Sequence, residues 1–468
     1  MTAMPNMIAG KPPSEPPGEF NPLSTAALVR RVTFGLTPSE LTLANALGRE
    51  AYIERHLNPQ SIPDPTVQSR LASQYSWLSL PAPQLTGFAA DQLINRLVDA
   101  RILRAALSER QLFERVVDMW TDHFNIFIQN GPEPVMKVVD DREVIRAHAL
   151  GRFHDLLLAS AYSPAMIHSL DNVSNQFGTP NENYARELLE LHTMGANGGY
   201  TQHDVREIAR CFTGWAYYGG FSGDISYTFF YNPGSHDNGQ KIVLGNIIPA
   251  NLGIEDGHRV VQILAGHPST ARHIARKLLV EFWGYDPPAR LIGDIARVYT
   301  RTGGDIRAMI RAILDPSIWP SPTPKFKRPL HLVASILRAV GTLLVNAGAM
   351  REPLAAAGHL PFHWAPPNGY PDRLSAWAGS LLVRWNFASD LTSGVYNTSA
   401  SFLPTALFGL DPSPQSIVQT MNQMLHGGEM PAPERAALLQ WIGPAPVSET
   451  RLREALGLAF SMPSFQWY

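Results

Sequence analysis

The chain has 468 residues, of which 45% are hydrophobic and 17% charged, proportions that build a folded protein with a sizeable core. Its net charge of −2 gives no overall electrostatic drive toward nucleic acid or an anionic membrane. The single cysteine, Cys211, excludes an intrachain disulfide and any zinc site built from cysteines.

Residues 1–22 are rich in Pro, Gly and Ser and read as a disordered arm. "MTAMPNMIAGKPPSEPPGEF" lacks a charged segment followed by an apolar one, so as written it is not a signal peptide. No stretch reaches the length of a membrane-spanning apolar run, so no membrane insertion is expected. Helical patterning begins at Ser24. "TPSELTLANALG" has Thr37 to cap, Pro38 in the first turn and Glu40 three residues after the cap. Two helices are expected in 88–129, and further ones at 140–160, 182–194, 202–216, 256–265, 268–284, 288–302, 305–314 and 327–346. "YTFFY" (227–231) and "KIVLG" (241–245) read as the two strands of one small hairpin, and 350–375 as a proline-rich loop. Helices near 414–425, 432–441 and 449–460 close the chain.

The expected fold class is mainly α, a large multi-helical domain of roughly a dozen helices with a small β-hairpin insertion. The expected division is a main helical domain at 23–408, with the hairpin at about 226–246, and a C-terminal helical extension at 409–468 packed on it.

The segment with the densest chemistry is "PNENYARELLELHTMG" (180–195). At 100° per residue, Tyr184, Leu188 and Leu191 share one face, while Asn183, Glu187 and Glu190 form a stripe with Arg186 beside it. His192 falls in the apolar arc, turned away from the carboxylates. The stripe reads either as a site, with Glu187 and Glu190 as acid–base carboxylates and Asn183 and Arg186 orienting substrate, or as a structural ion network. "WTDHF" sets Asp122 beside His123, and adjacent helical residues point different ways, so either needs partners from other helices. "HDNGQK" brings His236, Asp237 and Lys241 onto a loop, a pattern that suits a site or an ordinary turn. "HPSTARHIARKL" opens a helix whose first turn and Arg272 suit an anion, or which simply carries a cationic face of Arg272, Arg276 and Lys277. "PFHWAPPNGYPD" (361–372) places Trp364, Asn368, Tyr370 and Asp372 on a proline-stiffened loop fit to wall a sugar.

Several of these stretches recur together in one family. "LVRRVTFGLTPSEL" (28–41), "ERVVDMWTDHF" (114–124), "PNENYARELLELHTMGANGGYTQHDVREIARCFTGW" (180–215), "HDNGQKIVLG" (236–245), "PPNGYPD" (366–372) and "MPSFQ" (462–466) resemble the bacterial domain-of-unknown-function 1800 family. The resemblance implies no particular reaction. It implies export, in contrast to the absence of a leader here, and a sulfatase-like companion protein as a partner.

No nucleotide-binding glycine loop, GxSxG elbow or HExxH is present, so no nucleotide cofactor is expected; a divalent metal stays open, and no residue is assigned to one. The functional expectation is an acid–base enzyme, hydrolase or lyase, acting on an envelope or extracellular polymer such as a glycan. Glu187, Glu190, His123 and His236 are its candidate catalytic groups. Asn183, Arg186, Asp237, Lys241, Arg272, Trp364, Asn368, Tyr370 and Asp372 are its candidate substrate contacts. The competing expectation is a non-catalytic binding or scaffold protein.

Overall fold

The computed structural model of the protein describes residues 21–219, 226–318 and 323–468. All but the last two residues of the arm read over 1–22 therefore lie outside the described ones. The described chain is mainly helical, with strands only in three two-stranded antiparallel pairs. Local signals set many of the helix ends. Thr37 caps the helix Pro38–Leu47 by accepting the Glu40 N–H at 3.1 Å, and Thr201 and Asp204 form a reciprocal box at the start of Gln202–Cys211.

The two strand-like segments do not pair with each other, contrary to the single hairpin expected. Phe229–Tyr231 pairs with Trp215–Tyr217, and Lys241–Val243 pairs with Asn246–Ile248. The second pair closes through Leu244 (φ 49°) and Gly245 (φ 78°), two successive positive-φ positions of the kind that a two-residue hairpin turn requires. On the other edge of Lys241–Val243, the Ile242 and Leu244 N–H groups donate to Glu207 and Asp204 of the neighbouring helix, both at 2.8 Å. That edge is thus occupied by side chains, and no strand can add to it.

Two apolar cores organise the helices. One gathers Trp120, Phe124, Phe153, Leu188, Phe212 and Phe282 around the helix Gln111–His123. The other gathers Leu97, Ile102, Leu337, Met421, Leu456 and Phe460 around the helices Ala90–Leu107 and Pro329–Ala339. Arg115 of the first core's helix reaches His331 of the second core's helix, so the two cores meet along a seam of charged residues. A small third cluster, Phe326, Tyr370, Trp377 and Trp467, lies beside that seam.

The segment 183–192 begins as an α-helix, Asn183–Glu187, and continues as a π-turn, Leu188–His192. The wider turn ends the 100° spacing at Glu187. His192 is nonetheless buried at 1% exposure, on the apolar side where the pattern puts it.

Candidate functional site

The charged seam is built from three helices and a loop. Helix Gln111–His123 presents Arg115, Asp118 and Asp122 at spacings of three and four, which is one face of a helix. Helix Pro268–Phe282 presents His273, Lys277 and Glu281 at successive spacings of four. Lys325 and Arg328 enter just ahead of Pro329, which opens the helix Pro329–Ala339. The loop 361–372 covers one side.

Arg328 bridges Asp118 (2.5 Å) and Asp122, one guanidinium nitrogen to each carboxylate. Lys325 donates to Asp372 at 2.5 Å and lies 3.6 Å from Glu281, which also takes the Arg115 guanidinium. Arg115 further donates to Tyr468 Oη and His331 Nδ1, both at 3.0 Å. Burial pushes Glu281 upward, yet Arg115, Lys325 and Arg328 outweigh it and hold the carboxyl at about 2. Asp122 goes the other way. Burial, reinforced by the Asp118 charge, raises it to about 6 against the pull of Arg328. A carboxyl poised there exchanges a proton close to neutral pH.

Lys277 is the odd member. Among the described residues its amine makes no hydrogen bond or ion pair, and burial lowers its pKa, with Asp122 and Asp372 opposing. Its other neighbours are three histidines. His123 Nε2 donates to the His192 carbonyl and His273 Nε2 to the Leu191 carbonyl, both at 3.1 Å. These two imidazoles satisfy carbonyls that the end of the π-turn leaves without helical partners. The same bonds fix both tautomers, leaving His123 Nδ1 a buried lone pair without a donor. Burial, with the nearby Lys277 charge next, lowers His123 well below its ordinary value, His192 to about 3 and His273 to about 4. All three are neutral near pH 7.

The loop is sewn to the end of helix Gln111–His123. Asn125 donates to the carbonyls of Trp364 and Pro366, both at 2.8 Å, and the Tyr370 N–H donates to the Asp122 carboxylate. Tyr370 Oη donates to the Leu360 carbonyl at 2.7 Å, so the ring is 7% exposed and stands behind the wall. Trp364 is half-buried, donates Nε1 to Asn368 Oδ1 at 3.0 Å, and packs with its ring tilted 43° to Tyr370 at 5.0 Å between centroids. One Asp372 oxygen is buried without a partner.

The family description "Protein of unknown function (DUF1800)" matches residues 27–467. The chain belongs to this family. No curated protein and no solved structure matches it.

In this DUF1800 chain the sequence candidates separate into three groups and one lone residue, Arg272. His123, Trp364, Asn368, Tyr370 and Asp372 come together at the seam. Asn183, Arg186, Glu187 and Glu190 form a half-buried patch of their own. There Arg186 pairs with Glu182 at 3.0 Å, Asn183 reaches Asp171 at 3.3 Å, and Glu190 bonds Tyr200. Burial and the Glu190 charge raise Glu187, and Arg186 opposes them. No hydrogen bond joins this patch to the seam among the described residues. His236, Asp237 and Lys241 belong to a third, closed network. His236 and Lys241 converge on Asp256 with no exposed side-chain surface on any of the three, and Asp237 takes Arg210 at 2.7 Å. Arg272 is exposed and stands apart.

Asp118, Lys277, Glu281, Lys325 and Arg328 were not singled out by pattern as site residues. The signal that finds them is charge recurring every three or four residues on helices whose remaining faces are already apolar. Among the described residues, no group of three or more His, Cys, Asp or Glu is arranged to hold a metal, and no helix is long and apolar enough to cross a membrane.

Proposed function

We propose that the chain is an acid–base enzyme, a hydrolase or lyase of a glycan-type polymer, with its chemistry at the Asp122–Lys277 end of the seam. The observation that carries this reading is the proximity of two proton-transfer groups, one a carboxyl that shares the Arg328 guanidinium with Asp118 and the other an amine with no bonded partner among the described residues. Asp122 is pushed up to about 6, mainly by burial. Lys277 is only half-buried, so its amine reaches the edge of the seam without being spent on a protein partner there. Arg328 and Lys325 supply fixed positive charge for an anion that develops on the substrate, and Trp364 with Asn368 gives a flat face and an amide for a sugar ring. His123 acts by position, holding the His192 carbonyl and thereby the end of the π-turn beside Lys277.

The test is to incubate the full chain with a panel of neutral and acidic polysaccharides and follow new reducing ends and unsaturated products. Wild type is expected to cleave at least one, with turnover lost in Asp122→Asn and in Lys277→Met. Cleavage that survives Lys277→Met at wild-type rate overturns the assignment.

The second reading, a binding or scaffold protein, is favoured by the pairs that are closed, Arg115–Glu281 and Lys325–Asp372. Under it no polymer is cut, and Lys277→Met, which breaks no bond, leaves every measurable property in place or raises thermal stability.

A further inference from the structure

Outside the seam, the helices Pro65–Gln74 and Ala90–Leu107 and the segment 345–351 enclose a cleft of about 700 Å3, a size that holds a small ligand. Its lining is polar almost throughout, with Gln92, Arg96, Asp99, Asn346 and Arg351 beside the Tyr75 ring. Asp99 is the buried acid of the set, at 4% exposure. Arg351 Nε stands 3.1 Å from Asp99 Oδ1, but its N–H is directed at the Gly348 carbonyl, and Oδ1 accepts no hydrogen bond. This is a buried acceptor inside a cleft with nothing donating to it, a costly arrangement unless something arrives.

The walls offer the opposite chemistry. Arg96 lies 5.8 Å over the Tyr75 ring and makes no hydrogen bond among the described residues. Gln92 spends its carbonyl oxygen on the Ala89 N–H, and Asn346 spends its own on the Gly348 N–H. Both amide NH2 groups stay free to donate. The cleft therefore has one deep acceptor, two amide donors and a stacked, unpaired guanidinium. A bare sulfate or phosphate brings no proton to Asp99 and is repelled by it. A neutral sugar leaves Arg96 unused.

We propose that this cleft is a binding site for a sugar acid. The ligand's carboxylate meets the Arg96 fork, one hydroxyl donates to Asp99, and other oxygens accept from the Gln92 and Asn346 amides. Arg–carboxylate pairing supplies orientation as well as affinity, and the Tyr75 ring behind Arg96 keeps the fork in place. The site stands independently of the acid–base reading, since it shares no residue with the Asp122–Lys277 seam.

The test is calorimetric titration of the full chain with galacturonate and its dimer, with glucose and sodium sulfate as parallel arms. Saturable binding of the dimer is expected, weakened about tenfold or more by Arg96→Ala and by Asp99→Asn, in line with the loss of one charge-assisted hydrogen bond. Gln92→Leu, on an exposed position, weakens binding without touching the core and serves if Asp99→Asn fails to fold. Lys277→Met leaves this binding unchanged, so a failed catalytic assignment and a failed cleft are told apart. Glucose binding as tightly as the acid, sulfate competing for the site with equal affinity, no binding of either uronate, or affinity unmoved by Arg96→Ala each overturns the proposal.

Discussion

Gly369 sits so close to Asp122 that a Cβ on it would stand 2.0 Å from the Asp122 carbonyl oxygen. Its φ of 71° independently favours glycine. Gly369→Ala is therefore expected to push the 361–372 loop off the helix end and to cost on the order of 3 kcal/mol, combining left-handed strain with overpacking. Gly358 is the matched control, with φ 76° and nothing within 4 Å of its would-be Cβ. Gly358→Ala should cost only about 1 kcal/mol. Urea denaturation of the two variants decides the matter, and equal losses would show that contact with Asp122 contributes nothing.

That contact joins two stretches, "WTDHF" and "PFHWAPPNGYPD", whose chemistry is visible in the sequence but whose meeting is not. A helix end such as the Thr37 cap is written in local residues, and it appears where the pattern puts it. The seam is different. Arg328 reaches Asp118 across 210 positions and Asp122 across 206, separations at which no spacing rule applies. Lys277 read as part of a cationic face with Arg272 and Arg276, because charge at helical spacing ordinarily means solvent. Those two are exposed and Lys277 is not. The π-turn at Leu188–His192 is likewise silent in a pattern read at 3.6 residues per turn.

The neutral histidines give the protein a marked acid sensitivity. His192 titrates at 6.5 when unfolded and at about 3 in the fold, lowered by burial and then by Lys277. The unfolded chain thus binds the extra proton first as pH drops. This contribution to stability is whole above pH 6.5 and declines progressively down to about 3. His192→Phe, which suits a ring packed 5.0 Å from Phe124, should flatten the fall in unfolding free energy by about 1.4 kcal/mol per pH unit between pH 6 and 4. An unchanged slope in denaturation series at those pH values would mean that His192 is already charged in the fold.

Glu281 and Arg115 test how far the seam depends on paired charge. Their side chains are 8% and 3% exposed. Glu281→Gln leaves the Arg115 guanidinium buried without its counter-charge and is expected to cost about 3–5 kcal/mol. The double variant Arg115→Met with Glu281→Leu should recover most of that, since a buried pair exchanged for apolar residues is often neutral. A single variant within about 1 kcal/mol of wild type by urea denaturation counts against a closed seam.

Glu133 offers the converse case, a buried acid with no counter-charge bonded to it. The residue is fully buried and neither carboxyl oxygen has a hydrogen-bond partner, while the nearest lysine, Lys137, is committed to Asp140 at 2.5 Å. Burial, with the Asp140 charge adding to it, raises Glu133 well above its ordinary 4.5. The folded state accordingly keeps its proton where the unfolded chain has lost it. The native protein binds more protons above pH 4.5, so this group's effect is to lower stability as pH rises from there toward the raised folded value. Glu133→Gln removes the titration while keeping the shape. The variant should match wild type near pH 4 and unfold at a higher temperature at pH 8, the gap widening with pH. A variant less stable than wild type at pH 8 in thermal melts would mean that the ionised Glu133 carboxylate is stabilised by a charge its bonded neighbours do not reveal.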